Sequence, residues 1–237
     1  YLHRHPEEEI PTKHGIQKWT HFMPPVMNYS IVKKLNGIPT GFTNELGWEI
    51  YISPNNDARK IGDLLLEEGT KMGMLLTASP GFRGRRIEAG LLSAGRDFTK
   101  DRNPFSVGLG KFIDFDKGDF IGRDFLLNAD KKCLTWGMRV ENSFALVDSE
   151  IFINNKKVGV VTSSTWSPFQ VCGVAIVHMD KAEFGPDTIV DVRCDDGTVQ
   201  KGEICTLPMY DEKGEIQRGL KEDIPSSPIP WKGISKN

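Results

Sequence analysis

Three arginines within four positions, Arg83, Arg85 and Arg86, are followed at once by Glu88 and then by Asp97. Ser79-Pro80 just upstream reads as an N-cap with proline at the first helical position, so the arginines are expected in the opening turns of a helix. Positive charge is electrostatically disfavoured there, and the placement calls for an anionic partner. Arg86 and Glu88 equally suit an ordinary structural ion-pairing role. Glu49 follows Trp48 on an alternating run through Ile50 and Ile52. By pattern alone such a glutamate faces solvent, and Phe42 reads as core. His3, His5, His14 and His21 accompany the acidic run Glu7 to Glu9, but their spacing is irregular and matches no cysteine or carboxylate ligand geometry, so no metal is assigned. Cys133, Cys172, Cys194 and Cys205 are far apart, without a C-x-x-C pair. They read as buried thiols suited to a reducing cytosol or mitochondrial matrix.

The elements that must position these residues follow from periodicity. Residues 1–30 show none and form an irregular segment. Ile31 to Leu35, the Asn36-Gly37 turn and the run through Ile52 predict a β-hairpin. Asp57 offers N-cap chemistry, and Ile61, Leu64, Leu65, Glu68 and Met72 follow at helical spacing, predicting a helix over about Asp57 to Met72. Ile87, Leu91, Leu92 and Ala94 predict that a second helix continues from Ser79 to about Gly95. A short helical piece follows Gly122-Arg123-Asp124. From Cys133 the pattern turns to short strands: Leu134 to Val140, Glu150 to Ile153, Val158 to Thr162, Val171 to Val177, Thr188 to Cys194 and Val199 to Leu207. Turns stand at Asn154-Asn155 and Asp195-Asp196-Gly197. Such spacing predicts a small β-barrel.

The expected organisation is an irregular segment over 1–30, an α+β region over 31–130, the barrel over 131–210 and a tail over 211–237, extended or disordered. A chain of 237 residues with 38% apolar content can bury a core. Thirty basic against 32 acidic residues leave a formal charge of -2, which gives no global field for nucleic acid or anionic membrane. No apolar run approaches the roughly 20 residues of a membrane span. The protein reads as soluble, with no nucleic-acid or membrane partner.

Five segments in order carry a family resemblance. G-F-T-N-E-L-G-W-E-I from Gly41 to Ile50 resembles the G-Y-T-G-E-x-G-Y-E-I signature of the glycine-cleavage T-protein family of tetrahydrofolate-dependent transferases. Arg86 to Leu91 resembles its R-x-E-A-G-L helix, and Gly95-Arg96-Asp97 with Asn103-Pro104-Phe105 resembles its next loop. Asp119 to Arg123 resembles its D-F-I-G-R turn, and Gly159 to Pro168 its G-x-V-T-S-G-T-x-S-P strand and loop. The fold this implies is α+β, a T-protein-like folate-binding fold of mixed helices and antiparallel strands followed by a small C-terminal β-barrel. It also implies that a family N-terminal portion precedes Tyr1.

By the same resemblance the cofactor is tetrahydrofolate, and its contacts are Glu49, Phe42, Trp48, Arg83 and Arg85. A pterin presents an amide N–H beside an exocyclic amine, an edge that a carboxylate such as Glu49 matches with two accepted hydrogen bonds. Aromatic side chains wall flat rings, and Phe42 takes the place of the family's tyrosine. Arg83 and Arg85 suit the anionic glutamyl tail. Where aminomethyl transferases keep an arginine, this chain has Phe82, and the Gly95 to Phe105 loop resembles the demethylase branch, similar to dimethylsulfoniopropionate demethylase. The leading expectation is therefore methyl transfer to tetrahydrofolate from a small S-, O- or N-methylated donor. The alternatives are a glycine-cleavage aminomethyltransferase acting on a lipoyl carrier protein, and a non-catalytic folate-binding protein or fragment. The family's catalytic aspartate belongs to its N-terminal domain and has no counterpart here. No catalytic residue is named. The location implied is cytoplasmic, with the mitochondrial matrix as an alternative.

Overall fold

The structure, a computed structural model, describes residues 22–23, 43, 49–50, 55, 57–76, 79–216, 220–221 and 227–234. By contacts the chain divides into a first unit of residues 1–82 and 213–224 and a second of residues 83–212 and 225–237.

In the first unit, β1 (Phe22–Met23) pairs antiparallel with β2 (Glu49–Ile50), Phe22 opposite Ile50 and Met23 opposite Glu49. A strand thus arises inside the segment read as irregular. The hairpin expected between Ile31 and Ile52 otherwise lies outside the described residues. Helix α1 spans Ala58–Lys71, close to expectation. Asp57 caps it by accepting from the Arg59 and Lys60 amides, each at 3.1 Å, and so satisfies two of the donors every helix start leaves open. Ile61 of the expected apolar face is buried, while Leu65 and Met72 are exposed.

Helix α2, Ser79–Glu88, is shorter than its apolar spacing suggests. Gly90 ends it. At φ 69° it takes the left-handed conformation that glycine adopts without steric cost. Its amide bonds Ile87 O at 3.1 Å, and the Leu91 amide bonds Arg86 O at 2.9 Å, the paired bonds of a Schellman cap. A side chain at Gly90 would also meet Leu207 Cβ at 2.7 Å. The glycine of the R-x-E-A-G-L segment is therefore a helix stop. With α2 ending at Glu88, Arg85 and Arg86 stand in its last turn, where the helix dipole favours positive charge. This corrects the expectation that they crowd its N-terminus.

Beyond a short helix α3 (Arg123–Asn128) begins the barrel of β3 (Thr135–Val140), β4 (Glu150–Ile153), β5 (Lys156–Ser167), β6 (Cys172–Met179), β7 (Ile189–Arg193) and β8 (Val199–Cys205). It closes in the order β3-β6-β5-β4-β7-β8, all pairs antiparallel. Closure removes the edge strands that would otherwise invite aggregation. Asn154 and Asn155, with φ of 50° and 61°, make the β4–β5 turn in the conformation asparagine tolerates best after glycine.

Alternation along each strand fills the barrel. Met138, Val140, Ile151, Val161, Ala175, Val177, Val192 and Ile204 point inward. Strand β6 is buried on both faces: its other side, Cys172, Val174 and Ile176, packs with Ile87 of α2. That second apolar stripe is where the helix docks. Part of the tail is also bound here, through Ile229 N to Phe169 O at 2.9 Å and Trp231 N to Gln170 O at 2.7 Å.

Candidate functional site

Three of the segments that carried the resemblance meet at one polar seam of the second unit. Asp97, fully buried, receives four hydrogen bonds. Its Oδ2 accepts from Arg86 Nη1 and the Ser93 amide, both at 2.7 Å. Its Oδ1 accepts from Thr162 Oγ1 at 2.7 Å and Ser163 Oγ at 2.6 Å. Arg86 completes the ring by donating to Ser163 Oγ at 2.7 Å and to Leu91 O at 3.0 Å.

Neighbouring strand residues normally point to opposite faces. Thr162 and Ser163 both reach one carboxylate because β5 is bulged between Val161 and Ser163: opposite β6, Val161 faces Val177 and Ser163 faces Ile176, leaving Thr162 as the extra residue. A bulge redirects a side chain in this way.

Two residues along α2 from Arg86, Glu88 is equally buried. Its carboxylate pairs with the Arg85 guanidinium and accepts from Ser167 Oγ, whose oxygen in turn accepts from the Gln170 amide at 2.9 Å. Arg85 also donates to the Tyr210 hydroxyl. Its guanidinium carbon lies 4.5 Å from the Tyr210 ring centre and 5.0 Å from that of Phe169, a stacking that exploits the negative ring faces. Burial pushes the Tyr210 phenol up to about 12, with the Arg85 guanidinium acting against it. The tyrosine is therefore a neutral hydrogen-bonding wall near neutral pH. The anionic partners that the arginine cluster called for are Asp97 and Glu88, within the protein. Sequence reasoning assigned Arg86 and Glu88 a structural role, and the seam agrees.

Of the residues expected to hold the cofactor, Phe42 and Trp48 lie outside the described residues. Glu49 is placed by its backbone alone, in β2. Arg83 is exposed on α2, and Arg85 occupies the seam. Thr162, Ser163, Ser167 and Tyr210 were not singled out one by one in the sequence. For the first three, the signal was the Gly159 to Pro168 motif itself. Tyr210, 125 residues from Arg85, left none. Among the described residues no cluster suits a metal ion. All four cysteines are free. Burial pushes Cys172 up to about 12 and Cys205 up to about 11, each partly offset by Arg139, so neither is a ready nucleophile. No helix among the described residues is long and apolar enough to cross a membrane.

Two family models match in order: the GCVT N-terminal domain over residues 33–117, and the glycine cleavage T-protein C-terminal barrel domain over residues 135–211. The chain belongs to the glycine-cleavage T-protein family. It is 36% identical over 161 residues to an aminomethyltransferase of Caldanaerobacter subterraneus subsp. tengcongensis, covering 65% of this chain and 42% of the relative. To an aminomethyltransferase of Halothermothrix orenii it is 33% identical over 181 residues, covering 71% and 48%. The chain thus spans less than half the length of these relatives. The crystal structure of glycine cleavage system aminomethyltransferase T from Bartonella henselae superposes with a TM-score of 0.63 at 24% identity, covering 73% of this chain and 48% of that one. That likeness establishes the T-protein fold, with the expected α+β architecture and terminal barrel. The names of the relatives favour the aminomethyl alternative over the methyl-transfer reading drawn from Phe82 and the Gly95 to Phe105 loop.

Proposed function

We propose that this T-protein family member acts as a tetrahydrofolate-dependent aminomethyltransferase, with an aminomethylated lipoyl carrier protein as its partner. The observation that carries the reading is the ordered match to both T-protein domain models, whose motif segments the Arg86–Asp97–Ser163 seam physically joins. Tetrahydrofolate supplies N5, the nitrogen that takes up the one-carbon group. This chain's part is to bind and orient. Glu49 accepts from the pterin's amide and amine hydrogens, Phe42 and Trp48 wall the ring, and the exposed Arg83 meets the anionic glutamyl tail. Arg85 is committed to Glu88 and Tyr210, so its part is to fix the wall that Tyr210 and Phe169 form. Excluding water and aligning donor with acceptor are the main contributions a protein makes to such a transfer.

The test is product analysis with the full-length protein. Carrier-dependent formation of 5,10-methylenetetrahydrofolate is expected. Carrier-independent 5-methyltetrahydrofolate from a methylated sulfur, oxygen or nitrogen compound would instead establish methyl transfer, the reading favoured by Phe82 at the family's arginine position. Folate binding without either product would make it a binding protein. Glu49→Gln, by removing one charge-assisted acceptor, is expected to weaken tetrahydrofolate binding by about 1.5–3 kcal/mol in calorimetry. Unchanged affinity would remove Glu49 from the site.

A further inference from the structure

A cavity of about 360 Å³ lies in the second unit, near the lower end of the roughly 300–1,000 Å³ usual for small-molecule sites. Phe169, Met209, Tyr210 and Trp231 give it apolar walls, and Arg139 and Glu203 supply its opposed charges. Those two residues stand directly opposite each other in the β3–β8 ladder, on the side of the strands away from the barrel core. Opposite charges at such positions ordinarily pair. Here they form no ion pair. Arg139 Nε donates to Gln170 Oε1 at 2.8 Å and Nη2 to Met209 O at 2.9 Å, which holds the guanidinium and leaves Nη1 without an acceptor among the described residues. Glu203 accepts no hydrogen bond from the described residues. Its surroundings are nonetheless partly desolvating, since burial pushes its carboxyl above the ordinary range against the pull of Arg139. Neither group is a buried polar atom left unsatisfied; a carboxylate without a protein donor and a guanidinium with one edge unused are both open to solvent, where a ligand can take the place of water.

The wall of the cavity is built rather than incidental. Trp231 is fixed by its amide bond to Gln170 O, and the segment is tied down on either side by Ile229 N to Phe169 O and by Ile234 N to Glu141 Oε1 at 3.1 Å. A purely anionic ligand would satisfy Arg139 but set a second negative charge beside Glu203. A purely cationic one would sit beside Arg139 and Lys232. We infer that this cavity binds a zwitterionic small molecule of the amino-acid type, its carboxylate on Arg139, its ammonium on Glu203 and its side chain against Trp231 and Met209. Arg139 and Glu203, opposite each other on neighbouring strands, offer one group of each charge to the carboxylate and the ammonium of an α-amino acid. The inference does not rest on the folate reading, although the cavity shares Phe169 and Tyr210 with the wall that Arg85 fixes.

The experiment is calorimetric titration of the full-length protein with L-leucine, L-methionine and L-phenylalanine, each beside its amide, which lacks the carboxylate, and its N-acetyl derivative, which lacks the ammonium. At least one zwitterion is expected to bind about 10-fold or more tightly than both of its analogues. Glu203→Gln is expected to abolish the preference over the N-acetyl form while keeping that over the amide. Trp231→Ala is expected to lower affinity about 10-fold with charge discrimination intact. No binding at millimolar concentration, equal binding of a zwitterion and its analogues, or affinity unchanged in Glu203→Gln would each overturn the assignment. Because the readout is direct binding, it stands or falls whatever transfer activity is found.

Discussion

The interior of the barrel and the seam between α2 and β5 are both buried, yet they are held by opposite means. The barrel core is a set of aliphatic side chains, among them Met138, Val177 and Ile204, none more than a few per cent exposed. Any one contributes in proportion to the apolar area it removes from water. At the seam, Arg86, Asp97, Thr162 and Ser163 are buried as deeply, but each side chain there depends on the others to satisfy its charge or hydrogen bonds. Apolar packing degrades by increments, whereas a buried polar network fails as a unit. The T-protein fold uses the first to close the barrel and the second to fix the helix against it.

Breaking the seam should therefore cost more than breaking the core. Asp97→Ala strips Arg86 of its counter-charge in a dry setting and leaves the Ser163 hydroxyl and the Ser93 amide without their acceptor, while Thr162 can still donate to Ile176 O. An expected loss of about 3–5 kcal/mol follows, read as a lower urea midpoint with unchanged slope. The double variant Arg86→Met with Asp97→Leu removes both charges and should recover much of that loss. If the double variant is as unstable as the single one, the seam is not governed by charge compensation.

Ile204→Ala is the matching test in the core. The fully buried side chain should cost about 3 kcal/mol through lost transfer energy and the cavity left behind. A loss above that of Asp97→Ala would reverse the comparison. Thr162→Val removes one of four donors to Asp97 while keeping the bulged residue's shape, and about 1.5 kcal/mol is expected for a bond to a charged acceptor.

The two regions also differ in how far the sequence discloses them. The barrel strands were legible because side chains alternate with period two, and Glu150–Ile153 emerged with the expected bounds. Asp57 announced α1 by its cap chemistry. The end of α2 was not legible from spacing, since Leu91, Leu92 and Ala94 keep a helical rhythm after Gly90 has turned the chain away. With the helix drawn too long, Arg85 and Arg86 were assigned to the wrong end of its dipole. The bulge at Thr162 is a matter of register with β6, which local pattern does not encode. Tyr210 reaches Arg85 only through the closed barrel. Motif resemblance brought Arg86, Asp97 and Thr162 into view and left Tyr210 out, and only the tertiary structure shows what holds them.

The smallest expected effect lies where the barrel approaches the loop after α2. His178, on β6, sits with its Nδ1 3.0 Å from the Thr135 hydroxyl. Burial lowers its pKa from the ordinary 6.5 to about 4, the Arg102 guanidinium adds to that shift, and Asp180 acts against it. The folded state thus keeps the ring neutral where the unfolded chain binds a proton. The sign follows from linkage: this contribution is fully present above pH 6.5, is lost as pH falls from 6.5 to about 4, and changes no further once both states are protonated. Solvent reaches part of the ring, so screening reduces the size of the effect. His178→Gln keeps a polar partner for Thr135 and removes the titration, so the stability difference between parent and variant should shift in the variant's favour between pH 6.5 and 4. Carboxylates titrating in the same range cancel in that difference. A difference that stays flat across this window would mean that His178 is as well solvated as it is in the unfolded chain, and that the barrel rim is more open to water than its packing indicates.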